Sequence, residues 1–154
     1  MNNVMIWQAC KRLMQQADLV YVSTVNPEGF PDTRAMGNLY NLEQFGRLTG
    51  FLESQPNDFT VYLGTNRESV KIDQISKNEK VCLYYCSFPE THGLSLTGAI
   101  EIVEDKEIRE ALWQDDWIQF YAGGLNGLDY TVLRVKPTLA RGWYKTGKYE
   151  FSIE

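Results

Sequence analysis

This sequence predicts a mainly β fold: a Greek-key-like barrel, closed or nearly closed, with peripheral helices and a helix at the N-terminus. Two observations carry that expectation. About seven segments are short, rich in β-branched and aromatic residues, and bounded by Gly, Pro, Asn or Asp. Only a few stretches repeat their apolar residues at helical spacing. Closing that many strands on themselves removes exposed sheet edges. The 154 residues suit one domain, residues 1–154.

The elements follow in order. Asn2 or Asn3 caps a helix to about Ala17, with Val4, Trp7, Cys10, Leu13 or Met14, and Ala17 on one buried face. Asp18 to Val25 reads as a strand, and Asn26-Pro27-Glu28-Gly29 as a turn, because proline presets φ and glycine tolerates φ above zero. A second strand runs from about Pro31 to Tyr40 and completes a hairpin. Residues 42–57, with Gly46, Gly50, Pro56 and Asn57, read as a loop or a short hairpin. Phe59 to Gly64 is a strand, and the polar run from Thr65 leads into a short helix with Val70, Ile72 and Ile75 apolar. Val81 to Phe88 and Leu94 to Glu104 are strands; Gly98 inside the second marks a bulge, a bend or a close backbone approach. Asp105 caps a helix to Trp113, a further helical stretch reaches Tyr121, and Gly123-Gly124 ends it. Asp129 to Val135 and Thr138 to Tyr144 are two strands, and Thr146-Gly147-Lys148 turns the chain into a short last one.

Composition excludes several classes. A formal net charge of −5 and no visible basic patch argue against nucleic acid. No run approaches the ~20 apolar residues of a membrane-spanning helix. Three cysteines, Cys10, Cys82 and Cys86, with no secretory signal, argue against a disulfide framework and for the reducing cytoplasm.

Four constellations could carry chemistry. Arg34 on the second strand suits either a surface ion pair or a bidentate phosphate contact. Thr65-Asn66-Arg67-Glu68-Ser69-Val70-Lys71 follows a strand and opens a helix. It offers hydroxyls, a cation and free backbone N–H groups to an anion, or else simply caps the helix through Ser69 or Asn66. Cys82 and Cys86 share a strand face with His92 close in sequence. A metal site or nucleophile is conceivable there, yet zinc usually needs four ligands and buried cysteine packs as a small hydrophobe, so no metal is expected. In Arg141-Gly142-Trp143-Tyr144 the tryptophan either stacks on a flat ring or fills the core. Gly123-Gly124-Leu125-Asn126-Gly127 lacks the strand–turn–helix setting of a phosphate loop.

Four pieces in this order resemble the pyridoxamine 5′-phosphate oxidase-like family of FMN-binding split barrels, closest to its short, general-stress-type branch. They are Val22 to Met36, Val61 to Tyr85, Leu94 to Asp105 and Arg141 to Phe151, and the resemblance covers most of residues 18–154. It implies a split-barrel homodimer with two FMN sites at the interface. The family's phosphate-holding arginine and lysine fall on Arg34 and Lys71, and its loop hydroxyls on Thr65 and Ser69. Ala35 and Met36 fall along the isoalloxazine, and Trp143 matches an aromatic that approaches the ring from the other subunit. The resemblance further implies an FMN-dependent oxidoreductase that takes electrons from a reduced nicotinamide or another donor for a small acceptor. A flavin-binding or redox-sensing module without turnover is the alternative. The family's arginine-x-histidine element reads Arg141-Gly142-Trp143 here, which argues against pyridoxamine phosphate as substrate. No catalytic acid or base stands out: His92 is the sole histidine, and Tyr40, Tyr85 and Tyr144 are equal candidates.

Overall fold

A computed structural model describes residues 2–57 and 59–154. Helix α1 spans Asn3–Gln16, and Asn2 caps it by accepting from the Val4 N–H. Its buried face is Ile6, Ala9, Cys10, Leu13 and Met14. Val4 lies outside that face, at 60% exposure, and Trp7 rests at its rim with its ring edge-on to Phe59. The predicted stripe is therefore rotated: Ile6 and Ala9 fill the places expected for Val4 and Trp7.

Strands β1 (Leu19–Val25) and β2 (Pro31–Gly37) form the expected hairpin. In its turn, Gly29 adopts φ 87°, and the Asn26 side chain accepts from the Glu28 and Phe30 N–H groups. The second strand stops at Gly37, short of Tyr40, because Asn38 turns inward. Its carboxamide donates to the Met14 and Ala17 carbonyls at 2.7 Å each and satisfies the end of α1.

Of residues 42–57, read from the sequence as a loop or a short hairpin, 42–53 are helical. Asn41 caps α2 (Leu42–Phe45), a 3₁₀ turn covers Gly46–Leu48, and α3 runs Thr49–Glu53. Phe45, Leu48 and Leu52 recur at helical spacing, and Leu48 and Leu52 are buried.

Strand β3 (Val61–Asn66), helix α4 (Val70–Lys77), strand β4 (Lys80–Ser87) and strand β5 (His92–Val103) lie where expected. Helix α5 (Lys106–Leu112) is capped by Asp105, and a 3₁₀ turn follows at Asp115–Gln119. The two strands expected after it are one, β6 (Tyr130–Tyr144), followed by β7 (Gly147–Ser152). The break read into the sequence is a bulge. Thr97 pairs with Leu139 and Gly98 with Pro137, which leaves Thr138 as the extra residue.

The seven strands pair in the order β2-β1-β4-β5-β6-β3, with β7 also on β6. One edge of β6 is shared: its first half takes β3 and its second half takes β7. The expected split barrel is found; its pairing path does not close into a ring, and the ladder ends are β2 and β3. Inward residues of both halves, among them Val20, Val22, Leu83, Leu94, Leu96 and Leu133, form one continuous buried cluster with α1 packed over it.

Beyond α5, the rings of Trp113, Trp117, Tyr121 and Tyr130 meet edge-on or tilted at 5.0–6.2 Å. Gly64 makes room for them: a Cβ there would lie 3.3 Å from the Trp117 ring. Arg109 lies over the Tyr130 ring at 4.7 Å and donates to the Tyr130 carbonyl, while the Tyr130 hydroxyl donates to the Arg109 carbonyl.

Candidate functional site

The split between β2 and β3 is bridged by side chains of α4. Strand pairing aims alternate residues inward, so Asp32, Arg34 and Met36 of β2 share a face with Thr24, Val22 and Val20 of β1. At the other ladder end Thr65 of β3 is buried. Helix α4 lies against β1 and reaches both sides: Lys71 Nζ donates to Thr65 Oγ1 at 2.8 Å, and the buried Gln74 bonds Thr24 and Asp32.

Arg34 is half-buried. Its Nη1 donates to Thr24 Oγ1 at 2.7 Å and to the Val22 carbonyl at 3.3 Å. Burial lowers its pKa, and the nearby Asp32 carboxylate partly opposes that shift. Burial also lowers the Lys71 pKa, and the positive charge of Arg34 lowers it further. Two cations thus face one another across a partly desolvated cleft, an arrangement that an anion between them would relieve.

Ser69 precedes α4 in the N-cap position, yet its hydroxyl makes no capping bond; the Oγ is buried and without a partner. The capping alternative read from the sequence is therefore not realised by Ser69. A buried hydroxyl beside the first N–H groups of a helix is a donor waiting for an acceptor. Arg67 is engaged elsewhere, in an ion pair with Glu104 at 3.2 Å.

Arg34, Thr65 and Lys71 therefore come together, Ser69 stands two residues before Lys71 at the start of α4, and Met36 lies on the same inward face of β2 as Arg34. Ala35 points to the opposite, exposed face. Trp143 does not join them. It pairs with Gly93 and Lys148 at the far end of β6 from Thr131, the ladder partner of Thr65, and is 53% exposed.

Three residues of the cluster escaped the sequence reading: Thr24, Asp32 and Gln74. The available signal was polarity on a buried face. Thr24 continues the inward series Val20, Val22, and Gln74 sits between Ile72 and Ile75; at 1% and 6% exposure they are as buried as those neighbours.

The Cys82–Cys86–His92 constellation is taken apart by the sheet. Cys82 and Cys86 face outward, whereas His92 faces inward and is buried. Its Nε2 lies 3.1 Å from the Tyr149 hydroxyl and 4.0 Å from Cys10 Sγ. Burial raises the Cys10 pKa, so the thiol stays protonated and unreactive. Among the tyrosines, the Tyr85 hydroxyl is buried without a partner and its pKa is raised well above the ordinary value, Tyr40 donates to the Thr60 carbonyl, and Tyr144 packs on His92. Among the described residues no helix is long and apolar enough to cross a membrane.

Fold and cleft together define a split β-barrel with a cationic site across the split. The pyridoxamine 5′-phosphate oxidase family model matches residues 6–144, and the chain belongs to that family. No curated protein matches the sequence significantly. Among solved structures, a protein from Clostridium acetobutylicum related to general stress protein 26 of B. subtilis, of the pyridoxinephosphate oxidase family, matches at TM-score 0.74 and 25% identity. The match covers 99% of this chain and 96% of that one. General stress protein 26 from Bacillus anthracis str. Sterne matches at TM-score 0.71 and 17% identity over 96% of this chain and 98% of that one. A pyridoxamine 5′-phosphate oxidase-related, FMN binding protein from Nostoc punctiforme PCC 73102 matches at TM-score 0.68 and 16% identity over 97% and 89% of the two chains. The last two likenesses concern the fold.

Proposed function

We propose that the cleft between β2 and β3 binds the phosphate of FMN and that the chain is an FMN-dependent oxidoreductase acting on a small substrate other than pyridoxamine phosphate. The observation that carries this reading is the buried, unpartnered Ser69 hydroxyl at the start of α4, the helix whose Lys71 feels the charge of Arg34. The residues present fit the group. Arg34 offers a guanidinium fork, Lys71 an ammonium, Thr65 and Ser69 hydroxyls, and α4 its first N–H groups. Family membership and a structural relative described as FMN-binding support it.

When bound, the flavin supplies the electron or hydride transfer. The chain binds and orients. From the phosphate end, β2 leads away as the last strand of the pairing path, so its outer edge is free to run beside the ring at Ala35 and Met36. The inward Met36 side chain and the barrel core keep water from the buried side of that strand. The second reading, a flavin-binding module without turnover, is favoured by one observation. The sole histidine lies under α1 with Cys10 and Tyr149, so it supplies the cleft with no acid or base.

The site is proposed to be completed in a homodimer. Ladder register places Tyr21 opposite Tyr84 on the outer sheet face, and Leu19, Tyr21, Tyr84 and Trp143 are all exposed there. An exposed aromatic surface of this kind favours a partner. Trp143 of the partner subunit is then the aromatic that approaches the ring.

The test is a visible spectrum of purified protein before and after excess FMN and removal of unbound flavin. Retained flavin with bands shifted from free FMN supports the site; loss of all flavin overturns it. NADH or NADPH then separates enzyme from passive binder by bleaching the bound flavin or leaving it oxidised. Light scattering on a sizing column reads one chain or two.

A further inference from the structure

We infer that Gln74 is a positioning residue of the cationic cleft: it holds the Asp32 carboxylate off Arg34 and so keeps the guanidinium open to an incoming phosphate. The inference rests on the phosphate site proposed above and concerns a residue that need not touch the ligand.

Asp32 and Arg34 are two apart on β2, so both project from the same face. Burial lowers the Arg34 pKa, and Asp32 is close enough for its charge to oppose that shift. A carboxylate and a guanidinium so placed ordinarily form a forked pair, which would occupy the N–H groups a phosphate needs. Yet none of the ion pairs among the described residues joins them. Asp32 Oδ2 instead accepts from Gln74 Nε2 at 2.7 Å, and Arg34 Nη1 donates to Thr24 Oγ1 at 2.7 Å.

Gln74 governs both halves of that arrangement. Its Nε2 takes the carboxylate, and its Oε1 accepts the Thr24 hydroxyl proton. A hydroxyl has one proton; with it committed to Gln74, the Thr24 lone pairs face Arg34 and accept. The result is a directional chain: Arg34 donates to Thr24, Thr24 to Gln74, and Gln74 separately to Asp32. A carboxamide of this length reaches both partners, accepting from the hydroxyl through Oε1 and donating to the carboxylate through Nε2. Thr24 and Gln74 are buried, so no solvent competes for these bonds. Gln74 also rides on α4 with Lys71, so one helix fixes the lysine and, through Gln74, the state of the arginine.

The experiment compares FMN with riboflavin, which has the same ring and no phosphate. Binding is read by quenching of flavin fluorescence. Gln74→Met keeps the length and volume and removes both polar atoms. Freed from Gln74, Asp32 pairs with Arg34, and the preference for FMN over riboflavin falls roughly tenfold. Adding Asp32→Asn to Gln74→Met removes the competing carboxylate and restores most of the preference. A merely structural role of Gln74 would not be rescued by that second change.

Gln74→Asn, too short to span both partners, carries the same expectation and serves if Gln74→Met does not fold by circular dichroism. An unchanged preference in the folded variant, or a lost preference that Asp32→Asn leaves lost, overturns the inference. Wild-type protein that binds neither FMN nor inorganic phosphate overturns the phosphate site and the inference together. Wild-type protein whose melting temperature rises with inorganic phosphate but which rejects FMN overturns the flavin reading alone. The same variants are then read with phosphate as the ligand.

Discussion

Lys71 Nζ donates to Thr65 Oγ1 at 2.8 Å, which ties helix α4 to the free ladder end at β3 while burial, and then the charge of Arg34 at the other ladder end, depress the lysine's pKa. That placement is unfavourable for the empty protein and favourable for an anion. Lys71→Met is therefore expected to raise the melting temperature of the ligand-free protein by a few degrees and to lower FMN affinity roughly tenfold or more. Opposite signs in a thermal melt and a flavin titration are the expected pair. A melting temperature that falls along with affinity would show that the lysine is structural.

Arg34 should not tolerate lysine. Its Nη1 is already committed to Thr24 and Val22, so the guanidinium faces the cleft in one orientation. A point charge on a flexible stem reproduces neither the fork nor the fixed direction. Arg34→Lys is expected to weaken FMN about as much as Arg34→Ala does, on the order of tenfold to a hundredfold, and to leave riboflavin nearly unaffected. Parallel titrations of both flavins check it, and near wild-type FMN affinity in Arg34→Lys would refute the forked contact.

Much of this is legible in the sequence. Turn chemistry at Asn26–Gly29, the β-branched and aromatic residues of β1, the apolar run of β4 and the Asp105 cap each act over a few residues, and the structure has each of them. Arg34 and Lys71 lie on separate segments, and their convergence was available through family resemblance alone. What escaped depends on distant partners. The early end of β2 follows from Asn38 reaching the end of α1, and the joining of β6 follows from β5 holding both halves in one ladder. Residues 42–57 hid a helix behind Gly46 and Gly50, whose low helix propensity outweighed the spacing of Phe45, Leu48 and Leu52. Gln74 reads as an ordinary helix residue until α4 is seen against β1.

Gly98 sits opposite the β6 bulge, where a Cβ would lie 2.7 Å from Pro137 Cα and against the Lys136 carbonyl oxygen. Both neighbours are backbone, so neither side chain motion nor a rotamer change relieves the clash. Gly98→Val is expected to cost about 2–4 kcal/mol, as overpacking and a shifted backbone do elsewhere. Because β5 and β6 carry the long central ladder, the loss should appear as a single shifted denaturation midpoint. Urea titration of the variant measures it, and a change under half a kcal/mol, the range of an ordinary surface substitution, would mean the strands separate there at little cost.

His92 gives the protein a pH dependence whose sign follows from burial. Burial lowers its pKa in the folded protein; the nearby Glu90 opposes that shift and the nearby Arg12 adds to it. Around the ring lie Cys10 of α1, Tyr144 of β6 and Tyr149 of β7, and burial raises the pKa of both Cys10 and Tyr149, so those two stay neutral in this range. As pH falls below about 6.5 the unfolded chain takes up a proton that the folded one resists, so stability is lost from there down to the depressed folded value. His92 is the only histidine, which isolates its effect in the window from pH 7.5 to 5.5. The melting temperature of the wild type should drop across that window, whereas His92→Gln, with nothing to titrate there, should start lower and stay flat. A wild-type melting temperature constant from pH 7.5 to 5.5, or a variant with the same slope, would mean that the Cys10–His92–Tyr149 cluster accommodates the proton.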